Sequence, residues 1–261
     1  MRPVFLSPHP DDAVLSCGGL IYQLAQAGQR PVVLTIFGGD RPTTAPPSDF
    51  VRALQTRWQL GDDAPAARRD EDRAACDRLG AMLIHLPFAD AIYRVAPGTD
   101  RALYDSEAAI FGEVRDPGLI DLIAAALRSK LQPIGLSAIR CFTPLTAGHH
   151  VDHVLTRAAA EQLPIERIYY EDYPYVEQPA KLAHVWGDQR WASESIELSE
   201  VALQAKSEAF LCHRSQISSF FQDEAEVARR LRAYADSIGG GRPMERYWRQ
   251  GETYQAPAAV L

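Results

Sequence analysis

The first 37 residues constrain the fold more than any other stretch. Val4, Phe5 and Leu6 form an apolar run with no polar alternation, as a strand buried on both faces does. Residues 13–26 follow, with Val14, Cys17, Ile21 and Leu24 at helical spacing and Gly28 as the stop. Residues 31–37, Pro-Val-Val-Leu-Thr-Ile-Phe, are again β-branched and apolar. Strand, helix and strand in this order make a βαβ unit, whose second strand lies parallel to the first. An α/β fold with a mostly parallel sheet flanked by helices is therefore expected. Gly18 and Gly19 stand mid-helix, where glycine is a poor choice unless another element packs close to the backbone.

Further strands are expected at residues 82–86, 139–145 and 167–171, with a short edge strand at 195–198. Helices are expected at residues 50–60, 69–79, 117–129, 154–161, 200–214 and 223–237. The connection over residues 38–67 is rich in Pro, Gly, Asp and Thr, and loops of that length are often functional. Gly239-Gly240-Gly241 reads as a flexible break before Glu245-Arg246-Tyr247-Trp248, and residues 255–261 as a loosely held tail. No repeat divides the 261 residues, and one domain over 1–261 is expected.

Charge and cysteine usage exclude several classes. The net charge of -7 and the lack of a dense Lys/Arg run argue against a nucleic-acid binder. Cys17, Cys76, Cys141 and Cys212 are too far apart for a zinc knuckle or redox motif, so buried free thiols in a reducing cytoplasm are expected. Asp11 and Asp12 interrupt the N-terminal apolar stretch, and no run reaches the roughly 20 apolar residues of a membrane span.

The chemistry concentrates in two places. Pro8-His9-Pro10-Asp11-Asp12 follows the first strand, and His149-His150-Val151-Asp152-His153 follows the strand at 139–145. In open α/β sheets, ligands bind beyond the carboxyl ends of the strands, so the two motifs share one edge. Four of the seven histidines fall in them. Two imidazoles and a carboxylate make a common zinc site with an open position, and His9, Asp12 and His153 are the expected ligands of one ion per chain. Adjacent side chains diverge, which leaves Asp11 as general base toward a metal-activated water. His150, one helical turn before His153, is expected to stabilise an oxyanion in its protonated form, and Asp152 to orient an imidazole. The competing reading makes Asp12 a helix N-cap. His149 reads as exposed, and His85, His184 and His213 as structural. Phe88, Asp90, Ile92, Tyr93 and Arg94 form a mixed aromatic and polar loop suited to a ligand. Residues 169–175 offer tyrosines either for stacking on a sugar or for the core.

These motifs, with Gly18-Gly19 after the first, resemble the PIG-L/LmbE family of zinc-dependent N-acetylglucosaminyl deacetylases. Arg69-Asp70-Glu71-Asp72 ahead of Leu79-Gly80 resembles its Arg-x-x-Glu helix, and Lys206 with Ser215-Gln216 its late Lys…Ser-Gln helix. The resemblance spans residues 3–250 and implies a Rossmann-like three-layer fold whose part after residue 175 is variable. It implies zinc on His9, Asp12 and His153, with Asp11 as base and as acid toward the leaving amine. It implies His150 on the oxyanion, steadied by Asp152. It further implies Asp90 as a substrate-loop acid, Arg69 as a contact to an anionic part of the substrate, and assembly into homo-oligomers. Two departures stand out: Ala13 where the first motif usually ends in Glu, and Val151 where the second usually has Pro. The first implies an altered substrate preference.

The function expected is hydrolysis of the N-acetyl amide of an amino-sugar conjugate. A metal-dependent phosphoesterase is the alternative, but such enzymes commonly need two metals and bridging carboxylates. A non-catalytic sugar-binding module of the same fold would have no need of Asp11 beside an open metal position.

Overall fold

The computed structural model describes residues 1–42, 46–182, 185 and 190–251. Seven strands form one sheet: β1 (Arg2–Ser7), β2 (Val32–Thr35), β3 (Met82–His85), β4 (Ile139–Pro144), β5 (Glu166–Tyr170), β6 (Trp191–Glu197) and β7 (Met244–Gln250). Their order is β3-β2-β1-β4-β5-β7-β6. The first five are parallel, and β7 runs antiparallel to both β5 and β6. The chain winds outward from β1 in one direction and from β4 in the other. Their shared edge is therefore the switch point of the sheet, where a crevice opens at the carboxyl ends.

The nine α-helices of the described residues are α1 (Asp12–Gln26), α2 (Asp49–Trp58), α3 (Ala64–Leu79), α4 (Glu107–Ile110), α5 (Leu119–Leu131), α6 (Val151–Glu161), α7 (Glu200–Phe210), α8 (Arg214–Phe220) and α9 (Glu224–Gly239). Alternate residues of the parallel strands feed two cores. Phe5, Val33 and Phe142 pack with Val14, Ile21, Cys76, Leu79 and Phe210 from α1, α3 and α7. Val4, Leu6, Val32, Leu34 and Cys141 pack on the other face with Ile123, Leu127, Leu155 and Ala159 from α5 and α6. Covering both faces is why these strands read as continuous apolar runs. The result is three layers, as expected.

Three boundaries differ from the sequence reading. Helix α3 starts at Ala64, earlier than expected, with Pro65 in its first turn, where the missing N–H costs nothing. The expected helix over 200–214 ends at Phe210, and a separate α8 starts after His213, whose ψ of 60° is not helical. The stretch after the three glycines is no free segment: it is β7, inserted between β5 and the edge strand β6.

The glycines of α1 answer to this last strand. A Cβ on Gly18 would lie 2.9 Å from Lys206 Cγ, and one on Gly19 only 2.5 Å from Leu198 Cδ1. The backbone is bare so that α7 and the chain before it can close onto α1. Glu245 of β7 reaches in and accepts the N–H groups of Gly19 and Leu20, both at 3.0 Å. Lys206 neutralises it at 2.8 Å and donates to the Ser16 carbonyl at 3.2 Å. His184 and the stretch 255–261 lie outside the described residues.

Candidate metal centre and cavity

The turn from β1 into α1 is fixed at several points. Ser7 Oγ donates to the His9 carbonyl (2.6 Å) and accepts the Ala13 N–H (3.0 Å), while Asp12 Oδ2 accepts the His9 N–H (2.8 Å). Asp12 is the first residue of α1. Asp11 holds the N-cap position without any side-chain capping bond. Its φ of 124° is one that a residue with a Cβ rarely adopts, so about 1–3 kcal/mol of strain is held there. A second unusual backbone precedes α6, where Thr146, Gly148 and His149 all have positive φ (69°, 86° and 62°). His149 is exposed and His150 is buried.

These two turns bring His9, Asp12 and His153 together. Asp12 Oδ2 lies 3.2 Å from His9 Nδ1 and 3.3 Å from His153 Nε2. A tetrahedral ion with bonds of about 2.0–2.1 Å separates its ligand atoms by about 3.3 Å. Each imidazole gives its other nitrogen to a buried carboxylate: His9 Nε2 to Asp152 Oδ2 (2.9 Å), His153 Nδ1 to Asp172 Oδ1 (2.5 Å). Carboxylates only accept, so these ring nitrogens donate, and the faces toward Asp12 carry the lone pairs a metal needs. His153 Nε2 is buried and has no hydrogen-bond partner among the described residues. An orphaned imidazole nitrogen beside an anionic carboxylate fits a cation. His150 stands close by, with ligand-type atoms of His9, His150 and His153 all within 4.8 Å of one another.

The buried carboxylates set the protonation of the two imidazoles. Burial opposes charge on His9, yet Asp90, Asp12 and Asp152 hold its pKa well above the ordinary value. Burial likewise opposes charge on His153, but Asp12 and Asp172 push it up to about 9. Asp12 resists burial through the same imidazoles and stays well below the usual carboxylate range. Asp11 goes the other way: burial, then its neighbour Asp12, raise it well above that range, while Arg68 at 3.7 Å pulls back. A carboxyl with a raised pKa is suited to exchanging protons near neutrality.

His150 departs from the expectation of a charged imidazole. Burial and the nearby His9 push its pKa well below the ordinary value. Its Nδ1 accepts the Asp152 N–H at 3.2 Å, which puts the ring hydrogen on Nε2. It is therefore a neutral donor, steadied by the Asp152 backbone. The Asp152 carboxylate instead serves His9, and is itself held by the Ala91 N–H (2.9 Å) and Arg94 Nη1 (2.7 Å).

The loop residues divide. Asp90 lines the cavity, 3.4 Å from Arg68 Nη1 and 3.7 Å from His9 Nε2. Arg94 does not face it. The guanidinium stacks on Phe37 and Tyr104 and pairs with Asp116 and Asp152, so it acts as a prop. Tyr93 lines a separate cavity of about 190 Å³. Nor does the structure bring Arg69 to the site: it donates to the Gly38 carbonyl and pairs with exposed Asp40. Its neighbour Arg68 is the arginine on the cavity wall, stacked on Trp58 and donating to the Pro10 carbonyl. Arg68 and Asp172 are the residues that sequence reasoning missed. Ala13 is fully buried in the core rather than on the cavity wall.

Next to the imidazoles the cavity measures about 370 Å³. Its walls carry Phe50, Leu54 and Trp58 of α2, Ile92, Ile110, Phe111, Tyr175 and Phe220. Of the tyrosines in 169–175, Tyr169, Tyr170 and Tyr173 are core residues and only Tyr175 reaches the cavity, its ring 5.9 Å from that of His153. Arg57, Glu107, Glu177 and Arg230 add charge to the wall.

A doubly wound sheet with a His/Asp group that could hold a cation at its switch point, opening into a cavity walled by aromatic and charged side chains, defines the class of α/β protein. The chain belongs to the PIG-L family, described as GlcNAc-PI de-N-acetylase, whose pattern it matches over residues 4–163. It is 29% identical over 242 residues to a 2'-N-acetylparomamine deacetylase of Niallia circulans, covering 86% of this chain and 84% of that one. Among solved structures, a teicoplanin deacetylase in a zinc-inhibited form superimposes with a TM-score of 0.83 at 27% identity, over 97% of this chain and all (100%) of that one. A deacetylase of the A40926 pseudoaglycone gives a TM-score of 0.78 at 30% identity, over 95% and 96% of the two chains. Among the described residues no helix is long and apolar enough to cross a membrane.

Proposed function

We propose that this protein is a metal-dependent N-deacetylase that removes the acetyl group from an N-acetylglucosamine-type sugar within a larger conjugate, yielding acetate and a free amine. The observation that carries the reading is the placement of Asp12 Oδ2 between His9 Nδ1 and His153 Nε2, each imidazole backed by its own carboxylate. His9, Asp12 and His153 would hold one divalent ion, zinc by ligand type. When bound there, such an ion would polarise the amide carbonyl and make water more acidic.

The protein's own groups do the rest. Asp11 takes the proton from the attacking water as the new C–O bond forms, and returns it to nitrogen as the C–N bond breaks. His150 donates its Nε2–H to the oxygen that gains negative charge, which a neutral imidazole does without first losing a proton. Arg68 and Asp90 flank Asp11 and His9 and contact the sugar. The rings of Phe50, Trp58, Phe111, Tyr175 and Phe220 take the apolar part of the conjugate. The relatives named above are all deacetylases, which supports the same reading.

The test is a panel of N-acetylglucosamine conjugates, with sugar, aryl and lipid aglycones, assayed for released amine at one equivalent of zinc. Turnover lost in Asp11→Asn with the metal still bound supports the mechanism. Near-normal turnover in that variant rejects Asp11 as base, and phosphate ester hydrolysis without amide hydrolysis rejects the function.

A further inference from the structure

Gln216 of α8 is buried yet forms part of the wall of the catalytic cavity. Its amide is not free to choose which end faces inward. Glu71 of α3 accepts both the backbone N–H of Ser215 (2.9 Å) and its hydroxyl (2.6 Å). A carboxylate offers acceptors only, so the hydroxyl hydrogen of Ser215 points at Glu71. Ser215 Oγ is then left with lone pairs for its other neighbour. Gln216 accordingly turns its NH2 toward it, with Nε2 at 2.9 Å. The direction of donation therefore runs from Gln216 through Ser215 to Glu71. Oε1 accepts no hydrogen bond from the described residues and remains for the cavity.

We infer that Gln216 is a specificity-determining residue whose Oε1 accepts an O–H or N–H of the sugar, with Glu71 setting that polarity from outside the cavity. The inference rests on the deacetylase reading above. The rest of the wall explains why one such acceptor matters. It sets the rings of Phe50, Trp58, Phe111, Tyr175 and Phe220 among charged groups, and a substrate donor that faces those rings with no partner would lose its hydration without replacement. An inward-facing carbonyl rewards a donor at one position and rejects a group with only lone pairs. Reversal of the amide would invert that preference.

The experiment uses the zinc-loaded full chain and a conjugate it turns over. Alongside run analogues with each ring hydroxyl replaced by hydrogen, and one with an N-methylated amide. Gln216→Met keeps the length and removes the acceptor. Glu71→Gln supplies Ser215 with a donor, releases its hydroxyl hydrogen toward Gln216, and turns the amide NH2 inward. Both variants are expected to raise KM about threefold to tenfold, the worth of one neutral hydrogen bond, with kcat within about twofold. The analogue lacking the bonded donor is expected to lose this penalty, which identifies whether hydroxyl or amide N–H is the partner. An unchanged KM in Gln216→Met, or an equal loss on every analogue, overturns the inference while leaving the deacetylase reading intact. A wild-type chain that turns over no member of the panel overturns both.

Discussion

Asp172→Asn tests whether the buried carboxylates prepare the imidazoles to act as metal ligands under the proposed function. Asp172 Oδ1 sits 2.5 Å from His153 Nδ1, and Oδ2 accepts the Ala147 N–H at 3.0 Å. Both neighbours are donors, and a carboxylate satisfies both at once. A carboxamide has one oxygen, so its NH2 must face either the imidazole N–H or the backbone N–H. A hydrogen bond to a charged acceptor contributes about 1.5–3 kcal/mol, and that is what the substitution removes from one side. If the backbone keeps the oxygen, the His153 ring loses its anchor and the extra basicity that Asp172 lends to Nε2. Loss of such a partner costs about 10–100-fold in metal affinity, or about 1.4–2.7 kcal/mol. The assay is zinc titration of metal-stripped protein in competition with a chromophoric chelator, with circular dichroism as a check on folding. A folded Asp172→Asn chain that binds zinc within about twofold of the wild type would refute the reasoning, since the ring would then need no carboxylate behind it.

Other consequences are equally direct. Asp11→Gly should unfold at higher urea than Asp11→Ala by about 1–2 kcal/mol, because glycine accepts the φ of 124° that alanine does not, although both lack activity. Equal midpoints would show that no strain is held at that residue. Arg94→Met leaves Asp152 and Asp116 without their shared cation and should cost about 3–5 kcal/mol in denaturant unfolding. Arg69→Ala should change stability by less than about 1 kcal/mol and leave turnover alone, whereas Arg68→Met should impair turnover. In metal-stripped protein, His153 has a folded pKa of about 9 against an ordinary value near 6.5. Its stabilising contribution is complete below about pH 6.5 and is lost as pH rises through about 9, amounting to about 3 kcal/mol. Urea midpoints at pH 6 and 9.5 should differ accordingly for the stripped protein, and a flat profile would count against the Asp12–His153–Asp172 arrangement.

What was legible in the chain followed simple periods. The central strands β1 and β2 announced themselves as apolar runs because both their faces are covered. The pairing of His9 with His153 followed from topology alone, since both follow strands that meet at the switch point. Asp172 obeys the same rule at the end of β5, next to β4, but a single Asp before Tyr173-Pro174 carries no histidine to mark it. Arg68 was hidden by one residue of helical register. Arg68, Asp72, Ala75, Cys76 and Leu79 are the buried face of α3, and their spacing of three and four selects Arg68 over Arg69. Arg68 also stands three residues before Glu71, the spacing of the family helix. Strand β7 escaped because its pattern is inverted: Glu245 and Tyr247 point inward and Met244 stays half-buried. A charge facing the core is intelligible only once Lys206 is known to lie opposite. The Arg94 reading failed for a related reason, since a guanidinium in a ligand-like loop looks the same in sequence whether it faces a substrate or props a carboxylate.

That inward-facing Glu245 has a consequence for how the molecule comes into being. The ribosome delivers His9, Asp11 and Asp12 before β7, and the helix they introduce has a carboxylate for its Gly19 and Leu20 amides only after residue 245 has emerged. More than two hundred residues of synthesis separate the two ends of this clasp. Until it closes, the His9–Asp12 turn rests on a helix with a bare glycine seam. The His9–Asp12 turn is thus made well before it is finished, and a nascent chain halted before β7 is expected to hold His9, Asp11 and Asp12 in an unlatched scaffold.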